Sequence, residues 1–300
     1  MPNAAALAPP IHHAVSDIGL VHHVQEDSWS VLRTGDAGDL YIVCDGMGGM
    51  GHGDEASQLA IRILTQRLSG GMTDPAAEVA TALSAVDVQV RTELCAHGRG
   101  LPGTTAVVAY LRGGVAHGGW VGDSRVYWIR DGHTLIRTRD HKLVEELVAL
   151  GQLTQEEARG SPLAHVVTRA IGGRSPDDPA VEASVYAPWE LQPGDTVLLC
   201  SDGLSDLASD EEIAAATVGT TPKEASERLL KLALDRGGHD NITVVTVRVP
   251  GGPARANPPR QEGEPEDEFR SQNLDLVPWL LTGGLLGALV LLAVSLLTMG

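Results

Sequence analysis

Two apolar runs, Leu40 to Cys44 and Thr196 to Cys200, have the length and composition of buried strands. Each runs out almost at once into an aspartate and a glycine, in Tyr41-Ile-Val-Cys-Asp45-Gly46 and Leu199-Cys-Ser-Asp202-Gly203. A fold that places ionised carboxylates at the ends of core strands must replace the hydration those groups lose, with a cation or with a set of donors. Two more acids sit in tight loops of similar character, Val121-Gly-Asp123-Ser-Arg125 and His239-Asp240-Asn241. The glycine after Asp45 or Asp202 lets the backbone turn sharply and bring a carbonyl toward whatever the carboxylate holds. Carboxylate plus carbonyl, without paired His or Cys, is a ligand set for Mg²⁺ or Mn²⁺ rather than Zn²⁺.

The balance of 22 basic against 39 acidic residues, a net charge of −17, would repel a phosphate backbone. Nucleic acid is therefore not expected as a partner, and a metal-dependent nuclease, which needs a basic groove, is disfavoured. Aromatic residues make up 3% of the chain against 43% hydrophobic, so Leu, Val, Ala and Ile must fill the core. The three cysteines, Cys44, Cys95 and Cys200, are expected as small buried hydrophobes in a reducing compartment rather than as a disulfide framework. Met1 to Pro10 has neither a basic start nor a long apolar run, so no secretory signal is expected.

Three segments are expected along the chain: a globular domain over 11–250, an acidic and Pro-rich tether over 251–275, and a transmembrane helix over 276–299 that carries no charge. Trp279 sits where an interfacial anchor belongs, and Gly283 and Gly287 have GxxxG spacing. In the globular part, strands are expected at Leu40 to Cys44, Thr105 to Leu111, Val115 to Trp120, Arg125 to Ile129, Thr196 to Cys200 and Ile242 to Val249. Their short spacers imply antiparallel hairpins. Helices are expected at Asp54 to Leu68, Ala76 to Ala96, Lys142 to Leu150 and Glu224 to Asp235. The last is entered through Thr221-Pro-Lys-Glu224, a capping box with Pro at the first helical position. Thr154-Gln-Glu-Glu157 and Ser209-Asp-Glu-Glu212 open two more. Consecutive strands mixed with long helices indicate an α+β layered domain.

Six segments, in order, carry a resemblance: Gly19-Leu-Val-His-His-Val-Gln-Glu-Asp27, Val43-Cys-Asp-Gly-Met-Gly-Gly49, Gly103-Thr-Thr-Ala106, Gly122-Asp-Ser-Arg125, Leu199-Cys-Ser-Asp-Gly-Leu-Ser-Asp206 and Asp240-Asn-Ile-Thr-Val-Val245. In these the chain resembles the PPM (PP2C-type) metal-dependent Ser/Thr protein phosphatases over nearly the whole globular region. The resemblance implies a four-layer α/β/β/α sandwich of two antiparallel sheets with the metals at one end. It makes Asp45 the carboxylate bridging two metals, Gly46 a carbonyl ligand, and Asp202 and Asp240 further ligands of the first ion. Asp27 and Glu26 would serve the second ion, partly through water. Asp123, with Asp202, resembles the pair that holds a third ion in bacterial members. Asp140 to Gly160 looks like the family's flap beside the site.

The implied reaction is hydrolysis of phosphoserine or phosphothreonine by direct attack of a metal-bridging water, using two Mg²⁺ or Mn²⁺ per site and no covalent phosphoenzyme. Asp27, Asp45, Asp202 and Asp240 are the candidate catalytic residues. One departure concerns the phosphate: His22 stands where the family usually has a phosphate-binding Arg, and Gln25 replaces a common Asn. His22 is the candidate phosphate contact, and Arg125 is expected as a structural ion-pair partner. The alternative reading, favoured by the missing Arg, is a pseudophosphatase that binds phosphoproteins without turnover. Expected partners are phosphoprotein substrates, an opposing Ser/Thr kinase and the membrane, with the catalytic domain on the cytoplasmic side of a single C-terminal anchor.

Overall fold

The computed structural model describes residues 8–33, 38–48, 51–98 and 100–251. One five-stranded antiparallel sheet is ordered β1 (Ile11–Asp17), β13 (Ile242–Arg248), β12 (Thr196–Cys200), β8 (Arg125–Arg130) and β9 (His133–Arg137). The other is ordered β11 (Ser184–Glu190), β7 (Val115–Val121), β6 (Ala106–Arg112), β3 (Asp39–Cys44) and β2 (Ser28–Arg33). A small third sheet joins β10 (Ile171–Gly172), β5 (Gly103–Thr104) and β4 (Gly46–Met47).

Side chains alternate across each central strand, so a single run feeds two cores. Leu40, Ile42 and Cys44 pack under α1 (Gly53–Leu68) and α2 (Pro75–Ala96), whereas Tyr41 and Val43 enter the core between the sheets with Val197, Leu199, Val245 and Val247. Leu198, Cys200 and Val244 point the other way, into a third core with α5 (Asp202–Ser205), α6 (Asp210–Ala216) and α7 (Pro222–Asp235). Three stacked cores make four layers, as expected. Between β9 and β10 run the short helices α3 (Leu143–Ala149) and α4 (Gln155–Arg159).

All three expected capping boxes form: Thr154, Ser209 and Thr221 each accept from the backbone N–H three residues on, and the glutamate there bonds back to the capping residue. Two expectations change. The strand expected over Thr105 to Leu111 forms one residue further on, over Ala106–Arg112, and a short strand not expected, Gly103–Thr104, precedes it in the small sheet. Cys44 and Cys200 are buried, but Cys95 is exposed, lying off the stripe of α2 whose Val86, Val90 and Leu94 face the core. Among the described residues no helix is long and apolar enough to cross a membrane, and the expected span over 276–299, with Trp279, Gly283 and Gly287, lies outside them.

Candidate metal centre

Strand register decides which loops meet. Cys200 faces Val244 and Arg125, Asp17 faces Ile242, Cys44 faces Ser28, and Ala106 faces Val121. The ends of β3, β12, β7 and β1 and the starts of β2, β6, β8 and β13 therefore lie at one end of the sandwich. That brings Asp27, Asp45, Asp123, Asp202 and Asp240 together from five separate loops.

Asp45 and the loop of Asp27 are held through the backbone. The Asp45 N–H donates to Thr105 Oγ1 at 3.0 Å, and its carbonyl accepts from Thr105 N–H and Thr104 Oγ1, both at 2.8 Å. Thr105 Oγ1 in turn lies 2.6 Å from Ser124 Oγ, beside Asp123. The Gly103-Thr-Thr-Ala106 segment is thus a clamp on the strand end, which is why β5 and β6 part at Thr105. Asn241 organises the loop carrying Glu26 and Asp27: its Oδ1 accepts from Glu26 N–H at 2.7 Å, and its Nδ2 donates to the carbonyls of Ile18 and Val24. Two glycines are required by close approach. A Cβ on Gly46 would sit 2.3 Å from the Gly53 carbonyl oxygen, and one on Gly203 would sit 2.1 Å from that of Asn241.

The side chains are a different matter. Among the described residues, the carboxylates of Asp45 and Asp202 accept no hydrogen bond. Asp27 Oδ2 accepts from Ser201 Oγ at 2.7 Å, but its Oδ1 is buried with no partner. Loss of hydration first, and mutual repulsion second, push the Asp45 and Asp202 carboxyls well above the usual carboxylate range. Burial pushes Asp27 up to about 7 against the pull of the neighbouring Thr243 and Ser201 hydroxyls. Such groups want a cation. Their oxygen-only donor set, with an orphaned buried oxygen at Asp27, fits the implied Mg²⁺ or Mn²⁺.

The acids are neighbours without forming a closed cage: among the described residues no three Asp, Glu, His or Cys side chains converge as a ready-made metal site. A shallow depression of about 370 Å³ lined by Ser16, Gln25, Asp27, Trp29 and Arg62 touches only Asp27 of the five, so it is not their common mouth. Glu26 has a second task, because its Oε1 accepts from Gly53 N–H at the start of α1 at 3.1 Å. His22 Nε2 lies 3.5 Å from Asp240 Oδ1, which puts it at the acid cluster. His52 has left-handed φ and turns to Glu55 at 3.1 Å. Arg125 is the expected structural partner, forked onto Asp140 at 2.8 and 2.7 Å and reaching Asp210.

One functional candidate is not visible in the sequence. Lys142, expected only as the start of a helix, places Nζ 3.0 Å from Asp123 Oδ2. Nothing local announces it, because its partner comes from another loop.

The protein-family model described as "Protein phosphatase 2C" matches residues 21–235. The chain belongs to the protein phosphatase 2C family. It is 39% identical over 242 residues to the serine/threonine protein phosphatase PstP of Mycobacterium tuberculosis, covering 79% of this chain and 44% of that protein, so it spans less than half of PstP's length. It is 33% identical over 243 residues to the serine/threonine phosphatase Stp of Listeria monocytogenes, covering 77% of this chain and 93% of that one. A PstP catalytic domain solved in complex with two manganese ions superposes with a TM-score of 0.67 and 34% identity, over 81% of this chain and 99% of that one. The likeness to that structure bears out the expected α+β sandwich of the globular part.

Proposed function

We propose that this chain is a metal-dependent protein Ser/Thr phosphatase using Mg²⁺ or Mn²⁺. The observation that carries the reading is the set of donor-free carboxylate oxygens on Asp27, Asp45 and Asp202 at one end of the sandwich, with Asp45 anchored through its backbone. Asp45, Asp202, Asp240 and the Gly46 carbonyl would hold one ion, and Asp27 with Asp45 a second, near Glu26. When bound, such ions supply Lewis-acid chemistry: activation of water toward a phosphoester and screening of the charge that develops on phosphorus.

The chain's own residues do the rest. The Thr104–Thr105 clamp and the Asn241 bonds hold the acids in fixed positions, so little reorganisation is needed when charge develops. His22, which lies beside Asp240, would donate to a phosphate oxygen in the position the family gives to Arg. Neither the Cys44 nor the Cys200 thiol is available as a nucleophile, since both are enclosed in the cores and burial pushes both thiols up.

The reading extends to the whole chain as a globular phosphatase over 11–250, a tether over 251–275 and a single membrane anchor over 276–299, with the catalytic domain cytoplasmic. The charge-free apolar run supports the anchor, and phosphoproteins modified by a Ser/Thr kinase are the substrates it would meet. The test is hydrolysis of p-nitrophenyl phosphate and of a phosphothreonine peptide with Mn²⁺ and with chelator. Turnover that needs Mn²⁺ supports the phosphatase. Mn²⁺ binding without turnover identifies the phosphoprotein-binding alternative. Truncation after Pro250 should give a soluble, active enzyme, because Val249 is already tied back by mutual backbone bonds to Gly194 and Asp195.

A further inference from the structure

A buried lysine stands against the acids of the site, and it comes from the flap. Lys142 immediately precedes α3, and its side chain is only 6% exposed. Its Nζ lies 3.0 Å from Asp123 Oδ2 and 3.3 Å from Asp206 Oδ1, while Asp206 Oδ2 lies 3.2 Å from His165 Nδ1.

The backbone around it gives the ammonium little freedom. Just before it, Asp140 is forked onto Arg125. His141 donates its N–H to the Gly122 carbonyl and accepts the Gly122 N–H at Nδ1, both at 3.0 Å. Just after it, Leu143 N–H reaches the Val166 carbonyl at 2.9 Å, and Lys142 itself bridges Val167. Three consecutive flap residues, Asp140, His141 and Lys142, thus engage Arg125, Gly122 and Asp123 of one loop. The main chain at Lys142 cannot move away without undoing the base of the flap, and its Nζ is kept in place by Asp123 and Asp206.

We propose that the Lys142 ammonium is a built-in cation occupying the charge-compensating place at Asp123 that a third divalent ion would take, so that this chain holds two metal ions and docks its flap without a third. The inference rests on the metal-dependent reading above. Its physical basis is exclusion. Asp123 is almost wholly enclosed, and its Oδ2 is already engaged by a positive charge. A divalent ion there would have to sit beside an ammonium in a poorly screened setting or displace it, leaving a buried charge unpaired.

The test is the number of Mn²⁺ ions bound per full chain, by equilibrium dialysis with metal analysis. Wild type should hold two, and Lys142→Met, which keeps the stem and removes the charge, should hold three. Adding Asp123→Asn to that variant should return the count to two, and Lys142→Arg should stay at two. A wild type that binds three, with the third lost in Asp123→Asn, overturns the inference while leaving the metal-dependent reading intact. So does a Lys142→Met chain that folds and still binds two. A wild type that binds no Mn²⁺ overturns both. If Lys142→Met does not fold, wild type and Asp123→Asn decide alone: two ions in each supports the inference, three then two overturns it.

Discussion

Asp87 and Asp45 are both core-associated carboxylates, one on the buried face of α2 and one at the end of β3, and the protein treats them in opposite ways. Asp87 has no exposed surface and is fully partnered. Oδ1 accepts from Gly172 N–H at 2.9 Å, and Oδ2 accepts from Val181 N–H at 2.8 Å, Arg174 at 3.0 Å and Arg91 at 3.1 Å. Asp45 spends its backbone on the Thr104–Thr105 clamp, while its carboxylate receives no donor and faces Asp27 and Asp202 instead. A carboxylate that satisfies itself inside the protein is structural. One that is rigidly anchored yet left unsatisfied among like charges is reserved for something that binds, at a cost in stability until it does.

The difference breaks or stands on paired substitutions. Asp202→Asn, which shares Asp45's lack of donors, should lower Mn²⁺-dependent hydrolysis by more than about a hundredfold while leaving the metal-free melting temperature unchanged or higher, since it relieves repulsion. Near wild-type turnover would end the assignment. Asp87→Ala should do the reverse, costing about 3–5 kcal/mol because Arg91 is left buried and unpaired, with little change in turnover per folded molecule. That corresponds to a drop on the order of 10 °C in melting temperature. If Asp87→Ala abolished turnover in a chain that stayed folded, the division between the two acids would fail.

A smaller effect lies in pH. The Asp27 carboxyl is raised to about 7 in the folded chain, so the metal-free fold holds a proton that the unfolded chain has lost. Its contribution to stability is complete below the unfolded value near 3.8 and is lost as pH rises through about 7. His141 runs the other way. It is buried and lowered to about 3, so its contribution is present above the unfolded value of 6.5 and is lost as pH falls toward 3. Comparing melting with Mn²⁺ against chelator at each pH cancels what His141 contributes. The stabilisation by Mn²⁺ should be greatest above pH 7 and fade as pH falls through 7, because protons and cations compete for the same carboxylates. A flat difference from pH 5 to 8 would detach Asp27 from the metal.

What could be read in advance divides along the same line between local and distant. The capping boxes at Thr154, Ser209 and Thr221 lie within four residues, and all three form. The central strands announce themselves because they are buried on both faces. The edge strands do not: β1 is half-exposed along most of its length, and β11 carries Pro188 at an irregularity in its pairing with β7. Pairing itself is distant, since Ile11 meets Arg248 and β12 lies between β8 and β13. In the site, aspartates ending apolar strands were legible as misplaced charges. Lys142 was not, because a lysine beginning a helix looks like a solvated residue until Asp123 arrives from another loop. Cys95 went astray for a similar reason, as one residue's shift around α2 separates core from solvent.

The smallest expected effect concerns His22, which extends the contrast from the acids to the group proposed to meet substrate. Its Nε2 stands 3.5 Å from Asp240 Oδ1, and its side chain is 43% exposed, so it is free to face an incoming phosphate. An imidazole offers at most two donors, whereas a guanidinium offers five in a planar fork that matches a phosphate and keeps its charge at every working pH. If His22 contacts the phosphate, His22→Arg should lower KM for a phosphothreonine peptide several-fold with kcat changed little, because the gain is in ground-state and transition-state binding alike. His22→Ala should raise KM by a similar factor. The two substitutions bracket the wild type only if the side chain touches substrate. An unchanged KM in both would make His22 a solvated neighbour of Asp240, and the site would then bind phosphate through its cations and backbone alone.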